Sequence, residues 1–410
     1  MWNTTLIATL RVELSDIDFL NLLQPWNSLN ETYATATVHF DNGYTRKTLQ
    51  NVGFKQKGSG CKKHQKHCWN VKLDEFVDGQ DLKGYKKIGV KGGTDDDDVL
   101  AKYMMYVDMM RASVIPTQRT SYVLLYVNNV FFGFNIMHED IDDAFMQTRI
   151  EGDDGNGNLM KFDGGVYLQY LGSDPAVYQS NINYEQAEGD GDWSDFIDLL
   201  HFFNSSSDAD FLDKIDERVS IDGLFRLMIV ESFLMDTDGM TRNGRNYNLY
   251  HLRDKVYDEK WALFSYDFDM CLEFDINSHQ PYMGPSYLNI FTFFQRDIGN
   301  SQYNPLFNRL LAIPKYNATF VGMYRTFLDR TFGSNSKKQP TVLHGERMQF
   351  VLPWLERDLL WQLSNGIDAS TYLRYGEYTI DLLTTRWYNI TAQLDQAEVE
   401  LRLAEGKGSK

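Results

Sequence analysis

The sequence has few cysteines and no long apolar run, and both scarcities exclude classes of protein. Three cysteines in 410 residues rule out a dense disulfide scaffold and supply too few ligands for a structural zinc site. No segment approaches the roughly 18 consecutive apolar residues that a membrane-spanning helix needs. A composition that is 43% hydrophobic and 14% aromatic instead predicts a folded globular chain. Its length suits two lobes or one large domain with additions.

Basic residues are also scarce. The 40 lysines and arginines face 57 acids, for a formal net charge of −17, so we expect no general nucleic-acid surface because phosphates would be repelled. One local basic cluster is either the solvated face of a hairpin or in part a contact for nucleotide phosphates. Its members are Lys55, Lys57, Lys62, Lys63 and Lys66.

Glycosylation sequons and cysteine spacing are consistent with a secreted or cell-surface protein. Cys61 and Cys68 are close enough in sequence to be joined across a loop, which leaves Cys271 over. No signal peptide is recognised in this sequence, so a secreted form would be present as the mature protein. N-x-S/T sequons permit glycosylation at Asn3, Asn30, Asn204, Asn317 and Asn389.

Residues 4–50 alternate as the strands of a small β module do. A strand is predicted over residues 6–12, and residues 34–40 pair with residues 44–49 across the Asp41-Asn42-Gly43 turn, a strong hairpin signal. A second hairpin is predicted over residues 121–138. A β-rich first part of the chain is therefore expected.

The segment from Asp236 to Phe274 concentrates acids and amides where hydrophobic segments stop. An apolar run over residues 224–235 ends just before Asp236 and Asp238. A polar loop follows, and then two short strands are predicted over residues 247–252 and 261–266. The second strand leads directly into the sequence Asp-Phe-Asp.

This order of residues matches the needs of phosphoryl transfer. Such a site uses one carboxylate to orient the attacking hydroxyl and accept its proton, and an amide and a second carboxylate to hold the Mg²⁺ that bridges the nucleotide phosphates. We assign Asp238 as the base. Asn246 and Asp267, with Asn243 and Asp269 beside them, are the candidate metal ligands. The competing interpretation is structural, because the same residue types are common in helix caps and hairpin turns.

Two stretches resemble the signature of the spore coat protein H (CotH) family of atypical, secreted protein kinases. N-G-R-N-Y-N-L-Y, followed by W-A-L-F-S-Y-D-F-D, is similar to the family's D-G, N-Y-x-L-Y and W/Y-D-x-D, which recur in that order. The hairpin Y-V-L-L-Y-V-N-N-V-F-F-G-F-N-I-M-H-E-D is similar to its Y-I-N-G-x-Y-x-G-x-Y-x-L-x-E. The resemblance covers roughly residues 50–330.

The resemblance also implies nucleotide contacts in the first part of the chain. Here K-G-S-G-C and K-H-C-W-N-V-K-L stand where the family has R-G-N-S-S and K-K-S-x-K-I-K-F. Lys66 matches the family lysine best and would neutralise phosphate charge, with Lys57 in place of the loop arginine. Lys91, at the end of a third strand, is a rival to Lys66. Glu139 would lie at the hinge that borders the adenine.

The fold implied by the resemblance is a two-lobed, atypical protein-kinase-like α+β fold, with ATP in the cleft between a β-rich N-lobe and a mainly helical C-lobe. An acidic, glycine-rich insert would either face the substrate or be idle. The implied domains are a β module over residues 1–50 packed on the N-lobe, the N-lobe over 51–146, the hinge and insert over 147–215, and the C-lobe over 216–410 with its catalytic segment over 236–269.

The implied activity is transfer of the γ-phosphoryl group of ATP to a protein hydroxyl, with Mg²⁺ or Mn²⁺ as cofactor and a protein as substrate. A first alternative is a catalytically silent surface adhesin, a pseudokinase that binds a host or cell-surface receptor, because a fold does not fix a function. A second alternative is transfer of AMP or another group from ATP.

Overall fold

The chain forms two compact units in the computed structural model. The first unit comprises residues 1–104, 118–145 and 345–377, and the second comprises residues 105–117, 146–344 and 378–410. The structure describes every residue except 25–31, 58–65, 93–99, 253–258, 273, 276–279, 282–288, 292, 295–304, 334–338, 366–373 and 409–410.

Seven strands of the first unit close into a barrel. They are β1 (Ile7–Glu13), β2 (Ala34–Asp41), β3 (Arg46–Lys57), β4 (Cys68–Lys72), β5 (Lys87–Lys91), β6 (Thr120–Val127) and β7 (Val130–Glu139). Neighbours in the order β1-β2-β3-β4-β5-β7-β6 are antiparallel. Parallel pairing of β6 with β1, which sets Leu10 opposite Leu125, closes the barrel. Its interior is filled by apolar side chains such as Phe54 and Trp69, which stack with ring centroids 4.6 Å apart.

The closed barrel corrects the fold expected from the sequence. A two-lobed kinase-like fold with a β-sheet N-lobe was predicted, and this prediction is wrong: the chain forms a closed seven-stranded barrel together with a helical region. The two predicted hairpins are confirmed as β2–β3 and β6–β7, because alternation and turn residues are local signals. Closure depends on pairing Ile7 with Tyr122, and no local pattern encodes a partner so distant in sequence.

The second unit contains a four-stranded antiparallel sheet. Its strands are β8 (Leu159–Phe162), β9 (Glu185–Glu188), β10 (Tyr247–His251) and β11 (Trp261–Ser265). They lie in the order β11-β10-β8-β9. The two short strands predicted after residue 246 are thereby confirmed as β10 and β11.

Helices make up most of the rest of the chain. Among the described residues, none of them is both long enough and apolar enough to cross a membrane. The helices are α1 (Asp16–Leu22), α2 (Ala101–Ala112), α3 (Asp143–Arg149), α4 (Pro175–Gln179), α5 (Ser194–Ser205), α6 (Asp208–Arg218), α7 (Ile221–Phe233), α8 (Met240–Asn243), α9 (Pro305–Ala312), α10 (Pro314–Phe332), α11 (Pro340–Ser364) and α12 (Arg374–Gly408). Two further short strands, β12 (Phe274–Asp275) and β13 (Gln280–Pro281), pair with each other.

Helix α7 is the buried element that leads into the candidate site. It is apolar on nearly all sides, and almost every one of its residues is buried, as expected of a helix enclosed by other elements. Its first turn is tied to β11, since the Ser220 amide donates to the Trp261 carbonyl at 3.1 Å. At its other end, Arg386 of α12 donates to the carbonyls of Ser232 and Phe233 at 2.6 and 3.2 Å. Both ends of α7 are therefore fixed.

Candidate functional site

The loop from α7 to β10 holds the candidate base in a fixed backbone. After α7, Met235 adopts a left-handed conformation with φ of 50°, which ends the helix. The Asp238 amide then donates to Asp236 Oδ1 at 3.0 Å. Gly239 follows with little room, because a Cβ there would lie 2.7 Å from Asp236 Oδ2. This contact explains why glycine follows Asp238.

The carboxylate of Asp238 is oriented by two side-chain amides of the same loop. Asn243 Nδ2 donates to Oδ1 at 2.8 Å, and Asn246 Nδ2 donates to Oδ2 at 3.0 Å and to the main-chain oxygen of Asp238 at 3.1 Å. The Asp238 side chain remains 19% exposed. Each carboxylate oxygen therefore has one fixed donor, and part of the carboxylate still faces solvent.

Asn246 presents an oxygen on the side away from Asp238. Because its amide nitrogen donates to Asp238, the side chain must turn Oδ1 elsewhere, and within the described part of the chain this oxygen accepts no hydrogen bond. Asn246 is nearly buried and has φ of 53°, a conformation that asparagine tolerates better than most residues. A fixed amide oxygen without a donor is suited to a hard cation.

Asp267 follows β11 and is tied to the same loop on both sides. The Tyr266 amide donates to the Asn246 carbonyl at 2.8 Å, and the Thr237 amide donates to the Met270 carbonyl at 3.0 Å. The three residues between these two bonds therefore run beside the loop that carries Asp238. Asp267 is also left-handed, with φ of 62°, and strained backbone of this kind concentrates at functional sites.

Two buried acids, Glu231 and Asp236, lie behind the loop, and neither was predicted as a site residue. Glu231 Oε2 accepts the Thr241 amide at 2.8 Å, and Glu231 Oε1 accepts the Ser265 hydroxyl. Burial raises the pKa of Glu231. Burial, and then the charge of Glu231, raise the pKa of Asp236 well above its ordinary value. Glu231 lies inside the apolar helix α7. A single acid in an apolar run was the sequence signal that could have identified it as a buried site residue.

Tyr106 connects these acids to the Asp-Phe-Asp sequence. Its hydroxyl donates to Asp236 Oδ2 at 2.7 Å, and its ring stacks on Phe268 with centroids 4.3 Å apart. Burial, followed by the charge of Asp236, raises the pKa of Tyr106 well above its ordinary value, so the hydroxyl stays protonated and acts as the donor. Tyr106 thereby fixes the residue between Asp267 and Asp269.

The chemistry of these side chains fits a divalent cation. Asn246 Oδ1 and the Asp267 carboxylate are oxygen donors of the kind that hard cations take, and Mg²⁺ is commonly held by one or two carboxylates together with substrate phosphates. Asp269 and Asn243 flank them. In the described part of the chain, no group of three His, Cys, Asp or Glu side chains converges to bind a metal, so this set would rely on its amide and on the substrate.

The remaining predicted residues lie in the first unit, and Lys66 is the most enclosed of them. Lys66 Nζ lies 2.7 Å from Asp358 Oδ2, and the lysine and aspartate side chains are only 4% and 0% exposed. Asp358 also accepts the Phe134 amide at 2.7 Å and Gln362 Nε2 at 2.8 Å. The charge of Lys66 is therefore matched by a buried carboxylate.

Lys57, Lys91 and Glu139 occupy strand ends of the barrel. Lys57 Nζ lies 3.2 Å from His138 Nε2, and Lys91 Nζ lies over the Tyr103 ring, 5.5 Å from its centroid. Glu139 is buried and accepts the Arg119 amide at 2.5 Å. Within the second unit, the structure thus places the loop that carries Asp238, Asn243 and Asn246 beside the Asp-Phe-Asp sequence that starts at Asp267. The predicted Cys61–Cys68 disulfide includes Cys61, which is outside the described residues.

Comparison with known proteins identifies the family. The family model described as "CotH kinase protein" matches residues 54–344, which is more than half of the chain and contains every candidate site residue. The chain belongs to the CotH family. The resemblance seen in its motifs is thereby confirmed.

Two curated relatives of this CotH chain come from Rhizopus delemar. Invasin CotH3 is 26% identical over 359 residues, a match that covers 84% of this chain and 55% of the relative. Invasin CotH2 is 23% identical over 268 residues, which covers 62% of this chain and 43% of the relative. The chain thus spans about half the length of the curated relatives it matches.

Proposed function

We propose that this CotH chain is a metal-dependent protein kinase that transfers the γ-phosphoryl group of ATP to a protein hydroxyl. The observation that carries the proposal is the pairing of Asp238 with Asn246. One side chain offers a carboxylate to an incoming hydroxyl, and the other turns a free amide oxygen away from that carboxylate. A base and a ligand held in one loop are the parts that phosphoryl transfer requires.

Each residue has a distinct role in the proposed reaction. The acceptor hydroxyl oxygen forms a bond to the γ-phosphorus as the bond to the ADP oxygen breaks, and the hydroxyl proton passes to a carboxylate oxygen of Asp238. Asn246 and Asp267 would hold Mg²⁺ or Mn²⁺, with Asn243 and Asp269 in support. When bound, such an ion supplies neutralisation of the charge on the phosphates.

The family resemblance assigns four further residues to the nucleotide. Lys66 is proposed to neutralise phosphate charge, as the paired lysine of kinases does while it also contacts a carboxylate. In the structure its Nζ is paired with Asp358, so in this role the phosphates would share the lysine with that carboxylate. Lys57 and Lys91 are the rival lysines, and Glu139 is proposed to border the adenine.

A label-transfer experiment tests the proposal. The chain is incubated with Mg²⁺ or Mn²⁺, a library of hydroxyl-bearing peptides, and ATP labelled either on the γ- or on the α-phosphate. Incorporation of the γ-label alone supports a kinase. Incorporation of the α-label indicates transfer of AMP instead. Incorporation of neither label, into the peptides or into the chain itself, contradicts both.

The second candidate function is that of a surface protein that binds a host receptor. The observation that favours it is that both curated relatives are named invasins. A secreted or cell-surface location suits either function. The two functions are separated by measuring the binding of the labelled chain to host cells before and after Asp238→Ala and Asp267→Asn. Binding that is unchanged by both substitutions, without any label transfer, would favour the receptor-binding function.

A further inference from the structure

Arg245 is held between two left-handed residues in the site loop. Gly244 has φ of 62° and Asn246 has φ of 53°. The Val166 amide donates to the Gly244 carbonyl at 2.7 Å, and a Cβ at Gly244 would lie 2.5 Å from the Val166 oxygen. The backbone on both sides of Arg245 is therefore constrained.

Among the described residues, the guanidinium group of Arg245 has no partner within hydrogen-bond distance. Its Nη1 lies 3.7 Å from Asp238 Oδ1, which is longer than a hydrogen bond, and that oxygen already accepts the amide of Asn243 at 2.8 Å. The side chain is 47% exposed. A fixed attachment point with an exposed guanidinium beside the base is therefore available for an anionic ligand.

Two other cations of the described chain that lie near the loop are already engaged. Arg242, three residues earlier, is buried and donates to the Phe293 carbonyl at 3.0 Å. Lys161, on the strand beside β10, lies 3.1 Å from Asp163 and 3.4 Å from Glu185. Of these three described cations, Arg245 is thus the one best placed to serve a ligand at Asp238.

We propose that Arg245 binds the terminal phosphate of the nucleotide, an inference that rests on the proposed kinase function. The planar guanidinium offers five donors in a fork that matches phosphate oxygens, whereas a lysine offers a point charge. As the phosphate binds, the long contact to Asp238 gives way to short bonds to phosphate oxygens. The carboxylate then keeps its two amide donors and remains open to the acceptor hydroxyl.

Calorimetric titration of Arg245→Gln tests this role. The probes are ATP, AMP and inorganic tripolyphosphate, each with Mg²⁺. Arg330→Gln is the matched control, since Arg330 carries the same charge on an exposed face of α10. Loss of charge-assisted bonds should weaken the binding of ATP and of tripolyphosphate about 10- to 100-fold. The affinity for AMP, and the melting temperature without ligand, should equal those of the wild type within error. Arg245→Lys should be intermediate.

The outcomes separate this proposal from the kinase function. If ATP binds the wild type and Arg245→Gln equally, or if the substitution weakens the binding of ATP and of AMP to the same extent, the role of Arg245 is refuted while the kinase function stands. If tripolyphosphate binds in an Arg245-dependent way but ATP does not bind, Arg245 is a polyphosphate site and the kinase function falls. If the wild type binds none of the probes, both proposals fail.

Discussion

Asn246 donates its side-chain amide to Asp238 Oδ2 at 3.0 Å, and this bond joins the candidate base to the candidate metal ligand. Because the nitrogen of the amide is fixed on Asp238, its oxygen is fixed on the opposite side. The Asn246 carbonyl in turn accepts the amide of Tyr266 at 2.8 Å, directly before Asp267. Asn246 therefore positions the Asp238 carboxylate, its own side-chain oxygen and the backbone that leads into Asp267.

The strain at Asn246 predicts that alanine and glycine will behave differently there. Both substitutions remove the bonds to Asp238, but alanine also keeps a Cβ in a left-handed conformation, at a cost of about 1 kcal/mol. We expect Asn246→Ala to unfold in urea with a free energy about 1 kcal/mol below that of Asn246→Gly, and both variants to lose label transfer. Equal free energies of unfolding would argue against a strained backbone at this position.

Asp238 should be needed for transfer but not for nucleotide binding. In Asp238→Ala the proposed proton acceptor is gone, and loss of a general base typically slows a reaction about 10²–10⁴-fold. The affinity for ATP with Mg²⁺, measured by titration, should fall far less than in Asp267→Asn, because Asp267 still offers its carboxylate to the ion while Asn246 loses only its side-chain bond to Asp238. Equal loss of binding in Asp238→Ala and Asp267→Asn would refute this division of roles.

The buried acids predict a dependence of stability on pH. The pKa of Asp236 is raised in the folded chain, so the folded state binds its proton more tightly than the unfolded state does. Its contribution to stability is therefore complete below the ordinary pKa and is lost as the pH rises through the raised value. Asp236→Asn removes this loss, so its free energy of unfolding relative to wild type should increase from pH 5 to pH 8.

The control for this measurement is Asp213→Asn, which changes an exposed aspartate on α6. Its free energy of unfolding relative to wild type should stay constant over the same range of pH. A constant difference for Asp236→Asn as well would show that Asp236 is ionised in the folded chain at all these values.

Arg386 should stabilise the end of α7. Burial lowers the pKa of its guanidinium to about 10, so it is still charged at neutral pH when it donates to the carbonyls of Ser232 and Phe233. Arg386→Met removes both donors; the Ser232 carbonyl keeps the Met235 amide at 3.3 Å, whereas the Phe233 carbonyl loses its Arg386 donor, at a cost of about 1–3 kcal/mol for a buried group left unsatisfied. The midpoint of urea unfolding should fall clearly, and less so in Arg386→Lys. An unchanged midpoint would contradict this role.

Local sequence signals predicted the strands and the site loop, but not the long-range contacts. The spacing of Asp238 and Asn246 lies within one loop, and family motifs include both residues. By contrast, Lys66 was predicted without its partner, because Asp358 is 292 positions away and lies outside the segment matched by the family model. The hydrogen bond between Glu231 and the Thr241 amide of the loop was missed because Glu231 belongs to an apolar helix that was read as core.

The closed barrel was missed for the same physical reason. Each strand has its own alternation and turn residues, whereas the pairing of β1 with β6 depends on which distant edges meet. The kinase-like fold was taken from the resemblance, and shared motifs constrain the site more tightly than the architecture around it.

A thermal-shift titration with ATP and Mg²⁺ or Mn²⁺ tests the central claim most directly, since it requires no knowledge of the protein substrate. A ligand that binds only the folded chain stabilises it by about 2.7 kcal/mol at 100 times its dissociation constant. The account predicts a rise in melting temperature that requires ATP and the metal together in wild type, and that is absent in Asp267→Asn. No rise in wild type, or the same rise in Asp267→Asn, would contradict a metal-dependent nucleotide site at Asp267.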